Sequence, residues 1–268
     1  MATQMFVLRG SLHERYKMMI FFLGNLAMLI LWQMLTGTFE VIPRGILPAP
    51  ARIVEVLPKM HFQDELVRNA LYSVKLNMLG LFEATFLAIP AGIIIGIFPG
   101  LRAFFQRHIE AARYVPMTAF TGLFMVWFGI HDNMKVQFLA FSIFFYLLPQ
   151  VINRVDEVNE IYVNTMYTMG ANKWQTIRHV FIPYVVSASF TDCRVMAAVS
   201  WSYIVVAEMV NAIGGGIGAM MYFSGRWGRI PEFYVCLFTI ILIGYGLDFL
   251  FGQVDRTLFK FKYLGRGR

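Results

Sequence analysis

The chain has 268 residues, of which 58% are hydrophobic, 16% aromatic and only 15% charged. A water-soluble fold carries about a quarter charged residues, so a soluble domain is excluded and a mean hydropathy of +0.59 places the chain in a bilayer. The net charge of +7 invites a nucleic-acid reading, but the 23 basic side chains lie mostly between apolar runs, where membrane topology accounts for them and no nucleic-acid partner is expected. Cys193 and Cys236 sit in apolar segments and read as packed thiols, with neither a disulfide framework nor metal spacing.

In chain order, Arg9, Arg15 and Lys17 precede a first apolar run, Met18–Leu35. It is longer than a signal-peptide core and no small-x-small cleavage site follows, so it reads as a retained span. Residues 36–68 then carry four basic and four acidic side chains together with Pro43, Pro48, Pro50 and Pro58. Ile53, Val54, Val56 and Leu57 predict a short amphipathic helix along the outer membrane face, against the alternative of an unstructured loop. Five further runs follow: Leu76–Phe98, Tyr114–Ile130, Val136–Ile152, Val195–Ile213 and Phe233–Phe251. Each approaches the roughly 17–25 apolar residues that cross a bilayer. They lack strand alternation, so all six are expected to be helices. The fold class is an all-α polytopic membrane protein. Residues 1–70 form an N-terminal segment with the first span and the outer-face helix. Residues 71–268 form a five-helix core with a polar loop at 153–183.

Lys and Arg placement sets the orientation. The N-terminus, the loops after spans two and four, and the tail share 14 positive charges, whereas the opposite loops hold 7: Arg44, Arg52, Lys59, Arg68, Lys135, Arg226 and Arg229. Both termini and the polar loop are therefore expected in the cytoplasm.

That polar loop is the most informative stretch. Val158, Ile161, Tyr162, Thr165 and Met169 recur at helical spacing. Gly170 then supplies the left-handed residue that ends a helix, and Asn172 with Gln175 reads as a capping box that opens another. In this second helix Trp174, Ile177 and Phe181 are expected to share an apolar face, with Lys173, Thr176 and Arg178 turned elsewhere, and Ile182–Pro183 to end it.

The loop resembles the EAA loop of ABC importer permeases, whose pattern is E-A-A-x3-G-x9-I-x-L-P. Gly170 is followed by nine residues and then Val180, Phe181, Ile182 and Pro183; the E-A-A triplet falls on Asn164, Thr165 and Met166, which departs from the pattern. Ile46 to Pro50, Val126–Trp127–Phe128–Gly129–Ile130, Arg194 with Ser200–Trp201, Val206–Ala207–Glu208–Met209 and Gly216–Ile217–Gly218 are similar to stretches of the nitrate/sulfonate/taurine/bicarbonate branch. The resemblance implies a type I importer permease in a bacterial inner membrane, with six helices and a coupling helix between spans four and five. It also implies a second permease copy (identical or related), a cytoplasmic ATPase dimer and an external solute-binding protein. Asn164, Gly170, Ala171, Asn172, Lys173, Trp174, Arg178 and Pro183 would then meet the ATPase. The cargo would be a small anion such as nitrate, a sulfonate, taurine or bicarbonate, or else a vitamin precursor.

Glu208 lies deep in the fifth span, where a carboxylate faces either a cavity or a bonded partner. With Ser200, Trp201 and Asn211 it is the candidate for the pathway or a gate, against a structural bond between spans. Glu83 poses the same choice and is read as structural. Asp192 and Arg194 are expected to pair or snorkel, and Asp248 to be structural. Gly80, Gly92 and Gly96 suggest close helix packing, with a dimer seam as the sharper alternative. Gly214 to Gly218 lacks the strand and Lys of a phosphate loop and reads as a flexible turn, a possible gate hinge. The aromatic runs read as packing or lipid-facing surface. The histidines have no ligand spacing, so no metal, cofactor or catalytic residue is expected. Isolated carboxylates argue against a membrane enzyme; a self-contained channel or secondary carrier is the alternative function.

Overall fold

The computed structural model describes residues 13–43 and 45–263. Arg9, Arg44, Arg266 and Arg268, used above for orientation, lie outside them. The described chain is helical: α1 Glu14–Thr38, α2 Pro50–Phe62, α3 Leu66–Ile97, α4 Pro99–Ala112, α5 Met117–Phe128, α6 Asp132–Asp156, α7 Glu160–Thr168, α8 Lys173–Val210, α9 Ile217–Arg226 and α10 Ile230–Leu258. Five of these (α1, α3, α6, α8 and α10) are long and apolar enough to cross a membrane. The run expected as the third span folds as the shorter α5. Pro116 precedes its 3-10 first turn and Gly129, at φ +78°, stops it. A six-span count remains consistent with this pattern.

The chain divides into two compact units, Met1–Asp64 with Ser224–Val235, and Glu65–Phe223 with Cys236–Arg268. In the first, Trp32 donates its indole N–H to the Pro48 carbonyl at 3.1 Å, fixing the Ile46–Pro50 stretch, and Pro50 stands in the first turn of α2. The predicted amphipathic helix is present, but its inward stripe is Ile53, Val56 and Met60; Val54 and Leu57 face out. Lys59 reaches Glu232 at 3.7 Å. No residue of α1 between Glu14 and Gln33 is buried.

In the second unit α3, α6 and α8 pack around Leu76, Ala84, Ala88, Leu139, Ile143 and Ile204. Glycines set their approach. A methyl added at Gly80 would meet Leu139, at Gly92 it would lie 2.6 Å from Val151, and at Gly96 it would lie 2.7 Å from Val155. The partner is always 59 positions later, so α3 and α6 run parallel in constant register. The small-residue spacing is thus an intrachain packing seam.

Two expectations about α8 are corrected. Pro183 does not end the loop's helix: Ile177–Phe181 forms a π turn, and the helix continues from Lys173 to Val210. The wider turn accommodates the hydrogen bond that proline cannot donate. It also advances the register, so Thr176 is buried and Trp174 is 73% exposed, breaking the expected Trp174–Ile177–Phe181 face. Ile177 and Phe181 remain half-buried.

Candidate functional site: the coupling loop and the two polar ends of the bundle

The loop is rigid by local bonding. Asn159 caps α7 by accepting from the Ile161 N–H at 2.9 Å. At the other end Gly170 takes φ +80°; its N–H donates to the Tyr167 carbonyl and the Ala171 N–H to the Met166 carbonyl, each at 3.0 Å. These are the paired bonds of a Schellman stop, which gives Ala171 a definite place. The capping box is complete. The Gln175 N–H donates to Asn172 Oδ1 at 2.9 Å and the Asn172 N–H to Gln175 Oε1 at 2.8 Å. Thr176 anchors the turn, its hydroxyl donating to the Asn172 carbonyl at 3.1 Å.

The turn also presents large apolar side chains. Ile161, Tyr162, Tyr167, Met169 (78%) and Trp174 are exposed large side chains on an otherwise polar loop. Asn164, Lys173 and Arg178 are exposed beside them. Trp174, Lys173 and Arg178 were among the residues expected at the contact; Tyr167 and Met169, exposed beside them, were not.

At this loop end of the bundle, successive helices are tied by ion pairs. Arg102 on α4 holds Asp156 on α6 at 2.5 and 2.6 Å, and that bond, outweighing desolvation, raises the pKa of the guanidinium. Arg154 on α6 takes buried Asp192 on α8 in a bidentate grip at 2.7 and 2.9 Å and also reaches Glu157. Arg194 on α8 takes Asp248 on α10. Asp192 and Arg194 therefore bond outward to other helices rather than to each other. Asp248 is structural, as expected.

The opposite end of the bundle is a buried polar knot. Glu208 is fully buried and accepts from Ser73 Oγ at 2.7 and 2.9 Å and from the Gly218 N–H at 2.8 Å. Asn69 Oδ1 accepts the Gly216 N–H at 2.7 Å and Ser73 Oγ accepts the Ile217 N–H at 2.9 Å. Gly214, Gly215 and Gly216 all have positive φ, and a methyl at Gly216 would overlap the Glu208 carboxylate. The glycine stretch is clamped by hydrogen bonds, a correction to the flexible turn expected. Lys135, counted above as a loop charge, is fully buried on α6 and donates to the Ile213 carbonyl at 2.6 Å. Tyr72 bonds to Asp132 beside it. Asn211 donates to the Ile130 carbonyl at 2.8 Å, Ser200 to Asn77 at 2.6 Å, and Trp201 is buried in the core. Asn69, Ser73 and Asn77 recur every four residues along one face of an apolar helix, a signal present in the sequence and overlooked there.

A long helical bundle with a stiff, capped helix–turn–helix projecting between two of its spans defines a permease-type transport subunit. The chain belongs to the family of binding-protein-dependent transport system inner membrane components, which matches residues 88–260. It is similar to the taurine transport system permease protein TauC of Escherichia coli, at 27% identity over 241 residues, 88% of this chain and 87% of that one. The riboflavin transport system permease protein RibX of Chloroflexus aurantiacus is 31% identical over 157 residues, 58% of this chain and 57% of that one. In fold the chain matches a chain of the inward-facing MetNI methionine ABC transporter with a TM-score of 0.63 and 17% identity, covering 75% of this chain and 98% of that one. The chain is thus a multi-pass inner-membrane ABC importer permease, and the self-contained channel is set aside.

Proposed function

We propose that this permease performs no chemistry itself and works with a second permease copy, a cytoplasmic ATPase dimer and an external solute-binding protein. Both termini and the coupling loop lie on the ATPase side. Residues 71–268 make the core, and residues 1–70 are an added N-terminal segment. The exposed Tyr167–Met169–Trp174 surface, flanked by Asn164, Lys173 and Arg178 and held by Gly170, Ala171 and Asn172, enters a groove on the ATPase, and α8 carries it through Pro183 into the bundle. The observation that carries this is a large apolar surface on a loop whose backbone is fully capped, an arrangement that prepays the ordering cost of docking. Ser200, Trp201, Glu208 and Asn211 belong to the pathway or gate, with Glu208 holding the glycine stretch through the Gly218 N–H.

Co-expression with the ATPase tests the docking. Met169→Asp with Trp174→Asp, and separately Gly170→Pro, are expected to abolish co-purification while the permease still enters the membrane. Retention of the complex in both variants refutes it. Labelling of Lys173→Cys and Gly45→Cys from either side of sealed vesicles reads the orientation. Accessibility of position 173 from the outside contradicts it.

A further inference from the structure

Helix α2 carries a second apolar face. The sequence groups Ile53, Val54, Val56 and Leu57 on one amphipathic face, but the structure divides them. At 3.6 residues per turn the helix has three sectors. Ile53, Val56 and Met60 point inward, within about 60° of one another. Arg52, Glu55 and Lys59 form a polar sector beside them, in which Arg52 bonds Glu55 at 2.8 Å and Lys59 reaches Glu232 at 3.7 Å. The third sector holds Val54 (70% exposed), Leu57 and Phe62 (80% exposed), with Pro58 and His61 among them. It lies roughly opposite Arg52 and Lys59 on the helix. Phe39, Val41 and Ile46, on the stretch leading into α2, are exposed large apolar side chains too.

The span α1 sets the depth of this face. Trp32 donates to the Pro48 carbonyl, and the Ala51 N–H donates to Gln33 Oε1 at 3.4 Å, so α2 begins beside the last turns of the apolar run Met18–Leu35. That is where a span leaves the hydrocarbon, the level at which tryptophan side chains collect. No residue of α1 between Glu14 and Gln33 is buried, which leaves lipid around it. The backbone of α2 points to the same depth. Pro58 has no N–H to give the Val54 carbonyl, and a carbonyl short of its helix donor is not tolerated in hydrocarbon; it takes water or a headgroup donor. His61 likewise joins an apolar body to a polar tip. Apolar side chains on a helix that needs polar surroundings suit the boundary between headgroups and acyl chains. A protein partner would also call on charges at the rim of the face, and these are already paired within the chain. We propose that α2 docks on the lipid leaflet at that end of α1, with Val54, Leu57 and Phe62 among the acyl chains and Arg52, Glu55 and Lys59 in water. The docking depends neither on the ATPase contact nor on which compartment that leaflet faces.

The test reconstitutes the full chain in phosphatidylcholine nanodiscs whose lipids carry bromine either near the headgroup or near the chain end. Val54→Cys, Leu57→Cys, Phe62→Cys and Arg52→Cys each receive a bimane label; Cys193 and Cys236 are buried, and the unaltered chain gives their background. All four positions are exposed, so the substitutions leave the packing of α2 in place. Bromine near the headgroup is expected to quench the label at positions 54, 57 and 62 and to leave position 52 bright. Phe62→Asp, which sets a charge on the face, is expected to remove most of the quenching at position 57, whereas Arg52→Ala keeps it. Absence of quenching at 54, 57 and 62, equal quenching at 52, or stronger quenching by bromine near the chain end overturns the proposal. So does quenching at 57 that survives Phe62→Asp. Labels that lipid bromine leaves bright but that the solute-binding protein shields, or a Phe62→Cys chain that cross-links to its second copy in place of being quenched, assign the face to a protein and also overturn it.

Discussion

The parallel seam of α3 and α6 makes a sharp prediction about Gly92. An alanine there places its Cβ 2.6 Å from both Cβ and Cγ1 of Val151, about 1 Å inside ordinary carbon contact. Val151 cannot swing clear, because a β-branched side chain in a helix has one strongly favoured rotamer. The helices must separate instead. Overpacking of this kind costs about 1–3 kcal/mol, from which alanine's better helix propensity recovers roughly 1. Gly92→Ala should therefore lose up to about 2 kcal/mol. Val151→Ala alone removes two buried methyl groups, also worth about 1–2 kcal/mol. In the double variant the new methyl occupies the space vacated, so the loss should fall short of the sum by about 1–2 kcal/mol. Reversible unfolding in detergent, followed by circular dichroism for all four chains, measures this cycle. Additivity within about 0.5 kcal/mol would show that the two positions do not touch and refute the register.

Gly216→Ala combines a φ of +107° with a clash against Glu208, whereas Gly129→Ala meets only the strain of φ +78° in open space. The first should cost about 2 kcal/mol or more and the second about 1, and equal thermal shifts would remove the clamping role assigned to Gly216. Asn172→Ala breaks the capping box for about 1 kcal/mol of local stability; faster amide exchange at Gln175 with an unchanged melting temperature is the expected signature, and unaltered exchange contradicts it. Arg154→Ala leaves the buried Asp192 carboxylate without its bidentate partner and should cost about 2–3 kcal/mol, with part of the loss recovered by adding Asp192→Asn. A double variant no better than the single one would show that the pair is not coupled.

The turn at Gly170–Asn172 was legible in the sequence because its chemistry is local. A glycine, an asparagine and a glutamine at fixed spacing leave the backbone few ways to satisfy its donors. The apolar runs were legible for the same kind of reason. What escaped depends on partners far along the chain. Arg154 and Asp192 are 38 positions apart, and Ser73 and Glu208 are 135 apart. No periodicity announces such pairs. Lys135 looked like a loop charge because it opens an apolar run; only packing shows that the helix starts before it and buries it. The π turn escaped too, since one extra residue per turn leaves the hydrophobic pattern nearly unchanged while rotating everything beyond it.

Helix α8 has a mechanical consequence. Its 38 residues form a rod about 57 Å long at 1.5 Å per residue. One tip is the capped turn at Lys173; the other, at Val210, lies next to the Glu208 clamp on the glycine stretch. A tilt of about 5° about its midpoint displaces each tip by about 2.5 Å over that length, comparable to the length of one hydrogen bond. In the proposed arrangement a push on Trp174 would reach the Glu208 end of the bundle as a lever stroke rather than through a relay of contacts. The π turn at Ile177–Phe181 sits close to the Lys173 tip, so any flexing there would absorb little of the throw.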